Sequence, residues 1–263
     1  MASTIQALIQ AAATSPAGST NRVLGFSQTV NQGDLLVAAV SWTAPTGQPT
    51  ISDTQSNSWI EIGQIASILN GNMVSLILFW AVASASGANT VTASVAGITT
   101  PTNVWLAIAE FSGANSLAII SGSTLGYGVN PPLGGEGPQS GVIQATNPPL
   151  TTPTGALLVM AATTSAATAT WSVDAQNNWF SIAAQAGGIV LAFALNLYTN
   201  APFCDMTPPE PILDRSGDSS TQWVALTAPF TTTTPSPQLS AIQSFEIQKF
   251  QYPAYPYNLP QRL

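Results

Sequence analysis

Catalysis by this 263-residue chain would have to rest on carboxylates, because it carries 11 Asp and Glu but no His and a single Cys. Without His there is no Ser-His-Asp or Cys-His nucleophile, no HExxH zinc site and no imidazole to move protons near neutral pH. Cys204 has no second cysteine for an intrachain disulfide and no companions for a thiolate metal cluster, so it reads as a free thiol or a small buried hydrophobe. A glycan hydrolase needs only two carboxylates, about 5 to 9.5 Å apart. Asp34, Asp53, Glu61, Glu110 and Asp174 are spread among turns and strand ends, with no motif that joins a pair. Asp205, Glu210, Asp214 and Asp218 are denser, in CDMTPPEPILDRSGDSS, but lack the D-x-D-x-D-G order of a calcium loop. They read as a solvated loop in which Arg215 pairs with a neighbouring acid. No catalytic, metal or cofactor-binding residue is assigned.

Sugar rings stack on exposed indoles, and the chain has 7 tryptophans. Trp42, Trp59, Trp80, Trp105 and Trp223 lie in or beside apolar runs, where the core is the default place for an indole. Trp171 and Trp179 flank polar segments and stand as the candidate glycan platforms. Arg22, Arg215, Lys249 and Arg262 are scattered, and the net charge is −7, so there is no basic footprint for a nucleic acid. The longest apolar run, Val74–Val82, broken only by Ser75, is far short of the roughly 18 residues of a membrane helix, and no membrane partner is expected. The opening MASTIQALIQAAATSPAGS has no charged leader region, and Gln6 and Gln10 interrupt its apolar stretch, so nothing in it directs secretion.

Glycine and proline number 20 each, while helix-favouring Lys, Glu and Arg are nearly absent. That balance predicts an all-β chain. Candidate strands are Leu35–Trp42, Trp59–Ile65, Met73–Ala83, Thr90–Val95, Val104–Phe111, Leu157–Ala162, Trp179–Ala184, Ile189–Tyr198, Trp223–Leu226 and Ile242–Phe250. Several are apolar at nearly every position, as strands covered on both faces are, whereas TVTASV (Thr90–Val95) alternates like a half-exposed one. Such strands between Gly, Pro and Asn turns read as an antiparallel β-sandwich or jelly roll. Thr4–Ala13 is the one stretch suited to a helix, or to an N-terminal arm.

The sequence echoes itself. GDLLVAAVSW (Gly33–Trp42) returns as GALLVMAATT (Gly155–Thr164), and DTQSNSW (Asp53–Trp59) as DAQNNW (Asp174–Trp179). VSLILFWAVAS (Val74–Ser84) then matches IVLAFALNLYT (Ile189–Thr199), and WLAIAEF (Trp105–Phe111) loosely matches WVALTAPF (Trp223–Phe230). Four segments in one order predict two related β-units, either two tandem sandwiches or two halves of one two-sheet sandwich. The expected organisation is an N-terminal arm at 1–25, a first unit at 26–125, a Pro/Gly-rich connection at 126–154, a second unit at 155–237, and a C-terminal strand and extended arm at 238–263. The last segment ends in QYPAYPYNLPQRL, whose Tyr252, Tyr255 and Tyr257 are candidate partner-binding residues: amphipathic aromatics give contact area at low entropy cost.

GDLLVAAVSW, DTQSNSWIEIG, LFWAVASASGANTVTASV and WLAIAEFSGA together resemble a β-sandwich module of bacterial extracellular multidomain proteins and phage structural proteins. The likeness covers Phe26–Ala114 well and Leu150–Phe230 more weakly, and it implies no catalytic set. In that motif Asp53 and Asn57 are suited to close an Asx-type turn, Asn57 is a residue that tolerates a left-handed conformation, and Trp59 is placed to plug the sandwich end. Only 6% of the chain is charged, against roughly 25% in ordinary proteins, as suits a subunit that lives packed in an assembly. The expected role is therefore non-enzymatic: a phage virion subunit (capsid decoration, cement, spike or tail) in a symmetric homo-oligomer such as a trimer, touching other virion proteins. The alternatives are a secreted adhesin or carbohydrate-binding sandwich and, third, a carboxylate-dependent glycan hydrolase or lyase.

Overall fold

Strands that are apolar at successive positions have no face to turn to water, and the architecture covers them on both sides. The structure, a computed structural model, describes residues 7–14, 18–44, 46–69, 72–98, 103–112, 117–119, 126–129, 157–164, 170–173, 181–194, 211–214 and 223–232. All regular elements among them are strands. The first eight are β1 (Leu8–Thr14), β2 (Asn21–Gly25), β3 (Leu35–Thr43), β4 (Gln48–Asp53), β5 (Ile60–Leu69), β6 (Asn72–Val82), β7 (Thr90–Ala96) and β8 (Val104–Phe111). The rest are β9 (Leu117–Ile119), β10 (Gly126–Val129), β11 (Leu157–Thr164), β12 (Thr170–Val173), β13 (Ser181–Ala186), β14 (Ile189–Ala194), β15 (Pro211–Asp214) and β16 (Trp223–Thr232).

They form antiparallel sheets in two matching sets. The first large sheet runs β1-β8-β3-β6-β5, and a smaller one runs β2-β7-β4. The second large sheet runs β10-β16-β11-β14-β13, with β9 also on β16, and β12 pairs β15. The order β8-β3-β6-β5 thus recurs as β16-β11-β14-β13. Even the irregularity recurs: β5 bulges between Glu61 and Gly63 opposite Phe79 and Leu78, and β13 bulges between Ile182 and Ala184 opposite Ala192 and Leu191. A bulge inserts one residue at a defined place and re-aims the strand, so its repetition marks a repeated unit rather than a chance likeness of apolar strands.

The two large sheets face each other. Leu35, Val37, Ala39, Leu76, Leu78, Trp105 and Phe111 of the first form one buried cluster with Leu157, Val159, Ile189, Leu191, Val224 and Phe230 of the second. The opposite face of the first sheet carries Val40, Trp42, Ile77, Phe79, Leu106 and Ile108, which pack on Val91, Ala93 and Val95 of β7 in the small sheet. On the far face of the second sheet Met160, Ala162, Val190 and Ala192 are also fully buried. The strands read as covered on both faces are covered on both faces, and the β-sandwich expectation holds.

Several segments differ from expectation. Thr4–Ala13, read as a helix or arm, contains no described helix: Leu8–Thr14 is the edge strand β1, antiparallel to β8 with a register shift between Leu8 and Gln10. Its Ala-rich sequence is a weak helical preference that sheet pairing overrides. β2 also lies within the stretch read as an arm, and β9 and β10, in the stretch read as the first unit's end and the connection, join the second large sheet. β4, with alternating exposure and Pro49, is a polar edge strand that lacks the apolar run used to find strands. Ile242–Phe250 and the segment bearing Tyr252, Tyr255 and Tyr257 lie outside the described residues.

The fit between the sheets is close at one glycine. A Cβ added at Gly188, between β13 and β14, would stand 2.9 Å from the Trp105 ring across the shared core. Gly188→Ala is therefore expected to destabilise the fold by about 1–3 kcal/mol through overpacking, read from the urea midpoint, and Trp105→Phe in the same chain should recover part of the loss. A neutral Gly188→Ala would show that the two sheets do not seat on each other this tightly.

Candidate functional site

Among the described residues, the acidic side chains collect at the ends of the first unit's strands. Asp53 closes β4. Its Oδ1 accepts the Asn57 backbone N–H at 2.9 Å, and its Oδ2 accepts Asn57 Nδ2 at 2.7 Å, Trp59 Nε1 at 3.0 Å and Asn89 Nδ2 at 3.1 Å. Asn57 in turn accepts the Ser84 backbone N–H through Oδ1 at 2.7 Å. One carboxylate so ties the β4–β5 turn to the end of β6 and the start of β7. The expected Asx-type turn is present and Trp59 lies against the core, but the left-handed residue is Ser56 (φ 56°) rather than Asn57. Asn57 is buried with its amide engaged on both sides, so its neighbour absorbs the reversal.

The second cluster joins residues far apart in sequence. Pairing of β3 with β8 sets Glu110 opposite Leu36 and so beside Asp34 at the strand's mouth. The sequence offers no motif for this pair, and sheet register creates it. Glu110 is fully buried and Asp34 is 7% exposed. Gln10 of β1 donates through Nε2 to Glu110 Oε2 and to the Gln28 carbonyl, and its Oε1 accepts the Gln28 N–H at 2.8 Å. The Asn31 N–H donates to Glu110 Oε1 at 3.0 Å, while Asn31 Nδ2 donates to Asp34 Oδ2 at 3.2 Å. The network fastens the edge strand and the 26–34 loop to the end of β8. Gln10 was visible in the sequence only as an interruption of an apolar stretch, and no local signal exposes its partner.

The two clusters differ electrically. Burial pushes Glu110 up, and the neighbouring Asp34 adds to this, while the Gln10 and Asn31 hydrogen bonds oppose it without prevailing. For Asp53 burial is again the largest single influence and pushes upward, but the Asn57, Asn89 and Trp59 donors together outweigh it and hold the carboxyl below its ordinary value.

A two-carboxylate hydrolase would need Asp34 and Glu110 open to a substrate, and both are enclosed by the fold. Glu61 is exposed on the β5 bulge, without another described acid beside it. Among the described residues no group of three or more His, Cys, Asp or Glu could hold a metal ion. Trp42 and Trp105 are buried in the two cores. Trp179, Asp174, Cys204, Asp205, Glu210 and Asp218 lie outside the described residues, as do the side chains of Trp171 and Asp214. No protein family, curated protein or solved structure matches the chain.

Asp53→Ala should lose about 1–3 kcal/mol, because the buried Asn57 and Asn89 amides and the half-buried Trp59 indole are left without an acceptor. The pH dependence separates the clusters. With its pKa depressed, Asp53 contributes stability above the ordinary Asp value and loses it as pH falls through the folded value, so Asp53→Asn should flatten the acid limb of a urea-midpoint profile. With its pKa raised, Glu110 contributes stability below the ordinary Glu value and loses it as pH rises through the folded value, so Glu110→Gln should remove a decline on the neutral side. Profiles superimposable on the parent's would contradict both assignments.

Proposed function

We propose that the chain is a non-enzymatic structural subunit of a phage virion, working through shape and contact area in an assembly with its own copies and other virion proteins. One observation supports this best: the described acids that are not exposed, Asp34, Asp53 and Glu110, are bonded to the fold's own donors, so the polar chemistry holds strand ends together. The side chains left to the outside carry little charge, with 6% charged residues in the whole chain. Interfaces that form once and persist tolerate such neutral surfaces better than freely diffusing monomers do. Among the described residues, the large apolar side chains in solvent are Val23 on β2 and Ile60 on β5, both on edge strands where a neighbour could add contact.

The test is to quantify the chain by mass spectrometry in purified phage particles from the strain that encodes it, then return tagged chain to particles that lack it. Expected are a fixed copy number per particle and saturable rebinding. A solitary protein, absent from particles, that is retained on a glycan array would favour the carbohydrate-binding reading. Polysaccharide turnover that is abolished by Asp34→Asn or Glu110→Gln while the melting temperature is kept would establish an enzyme.

A further inference from the structure

The two units do not merely resemble each other; they meet through the same residues. Equivalent positions follow from strand pairing. Leu35 faces Phe111 on β8, and Leu157 faces Phe230 on β16. Val37 faces Trp80, and Val159 faces Phe193. Ser41 faces Leu76 and Trp105, and Thr163 faces Ile189 and Val224. Phe111 thus corresponds to Phe230, Trp80 to Phe193 and Ser41 to Thr163.

Across the shared core, Trp80 of the first unit meets Phe230 of the second edge-to-face, with centroids 6.2 Å apart and planes at 69°. Phe111 of the first meets Phe193 of the second at 5.4 Å and 68°. These are one contact made twice with the roles exchanged. Ser41 Oγ and Thr163 Oγ1, equivalent to each other, share a buried hydrogen bond of 2.7 Å. A residue touching its own counterpart, flanked by a reciprocal pair, is the signature of a two-fold axis through an isologous interface.

We propose that the large-sheet face of the first unit is a self-association surface, and that the chain is two linked copies of one sandwich unit arranged as a dimer. The second unit fills the seat that a second copy of the first would take. The inference stands apart from any virion role. It also implies that this face is already occupied within each chain, so that contacts with further copies must use edges or outer sheets.

The first arm of the test offers the first unit a choice of partner. A full chain carrying Cys204→Ser and Ser41→Cys, with a protease site placed at residues 113–116, is cut, unfolded, refolded and oxidised. On the axis the introduced thiol meets its own copy, so a disulfide-linked dimer of the first fragment is expected. A parallel chain with Thr163→Cys added reports pairing with the second fragment. Cross-linking to the second fragment alone would overturn the proposal.

The second arm keeps the chain intact and decides the matter even if a cut chain does not refold. Phe193→Trp with Thr163→Ser dresses the second unit in the first unit's residues at those two seats. A self-complementary face predicts a melting temperature within about 3 °C of the parent. A fall of roughly 10 °C or more would show that the seats are not equivalent.

Discussion

The structure depends on sheets that are apolar on both faces. In the first large sheet, Leu35, Val37 and Ala39 point one way and Ala38, Val40 and Trp42 the other, and all are buried. A sheet of this kind gains little by packing on one neighbour, since the uncovered face would leave several large side chains in water at about 25 cal/mol per Å². The small sheet covers one face and the second large sheet covers the other. Neither large sheet has its inner face covered without its counterpart, which accounts for a core shared between two units rather than a core for each.

Covering both faces also governs the placement of polar groups. The carboxylates are displaced to strand ends and bonded there, whereas the indole N–H groups of Trp42 and Trp105 are buried in the cores without an acceptor. Asp53, Glu110 and Asp34 show the outcome: their acceptors are occupied by Asn57, Asn89, Trp59, Gln10 and Asn31, and those bonds fasten turns and an edge strand to the sheets. Carboxylates placed this way fasten the fold's corners. At the 34/110 cluster, enclosure raises the Glu110 carboxyl, and its two oxygens accept from Gln10 and from the Asn31 N–H.

Much of this was legible in the sequence, for definable reasons. Runs without alternation reported double coverage, and the echo of GDLLV by GALLV reported a repeated strand order. Matching by apolar similarity located the repeats less accurately than strand pairing does. Val74–Ser84 laid on Ile189–Thr199 sets Val74 against Ile189, whereas pairing makes Leu76 the counterpart, a slip of two that keeps every side chain on its face and so leaves no trace in the hydrophobic pattern. Trp105 and Trp223 look alike, yet pairing sets Trp223 with Val104 and Trp105 with Val224. Polar or Ala-rich edge strands such as β1 and β4, and the Gln10–Glu110 link, depend on partners far along the chain and carry no local mark.

The shared core is tested most directly by calorimetry of the intact chain. If the two large sheets complete each other, the units melt together, in a single transition whose calorimetric and van't Hoff enthalpies agree. Two resolved transitions, each with the enthalpy of half the molecule, would mean that each unit is complete by itself and that the face between them is incidental.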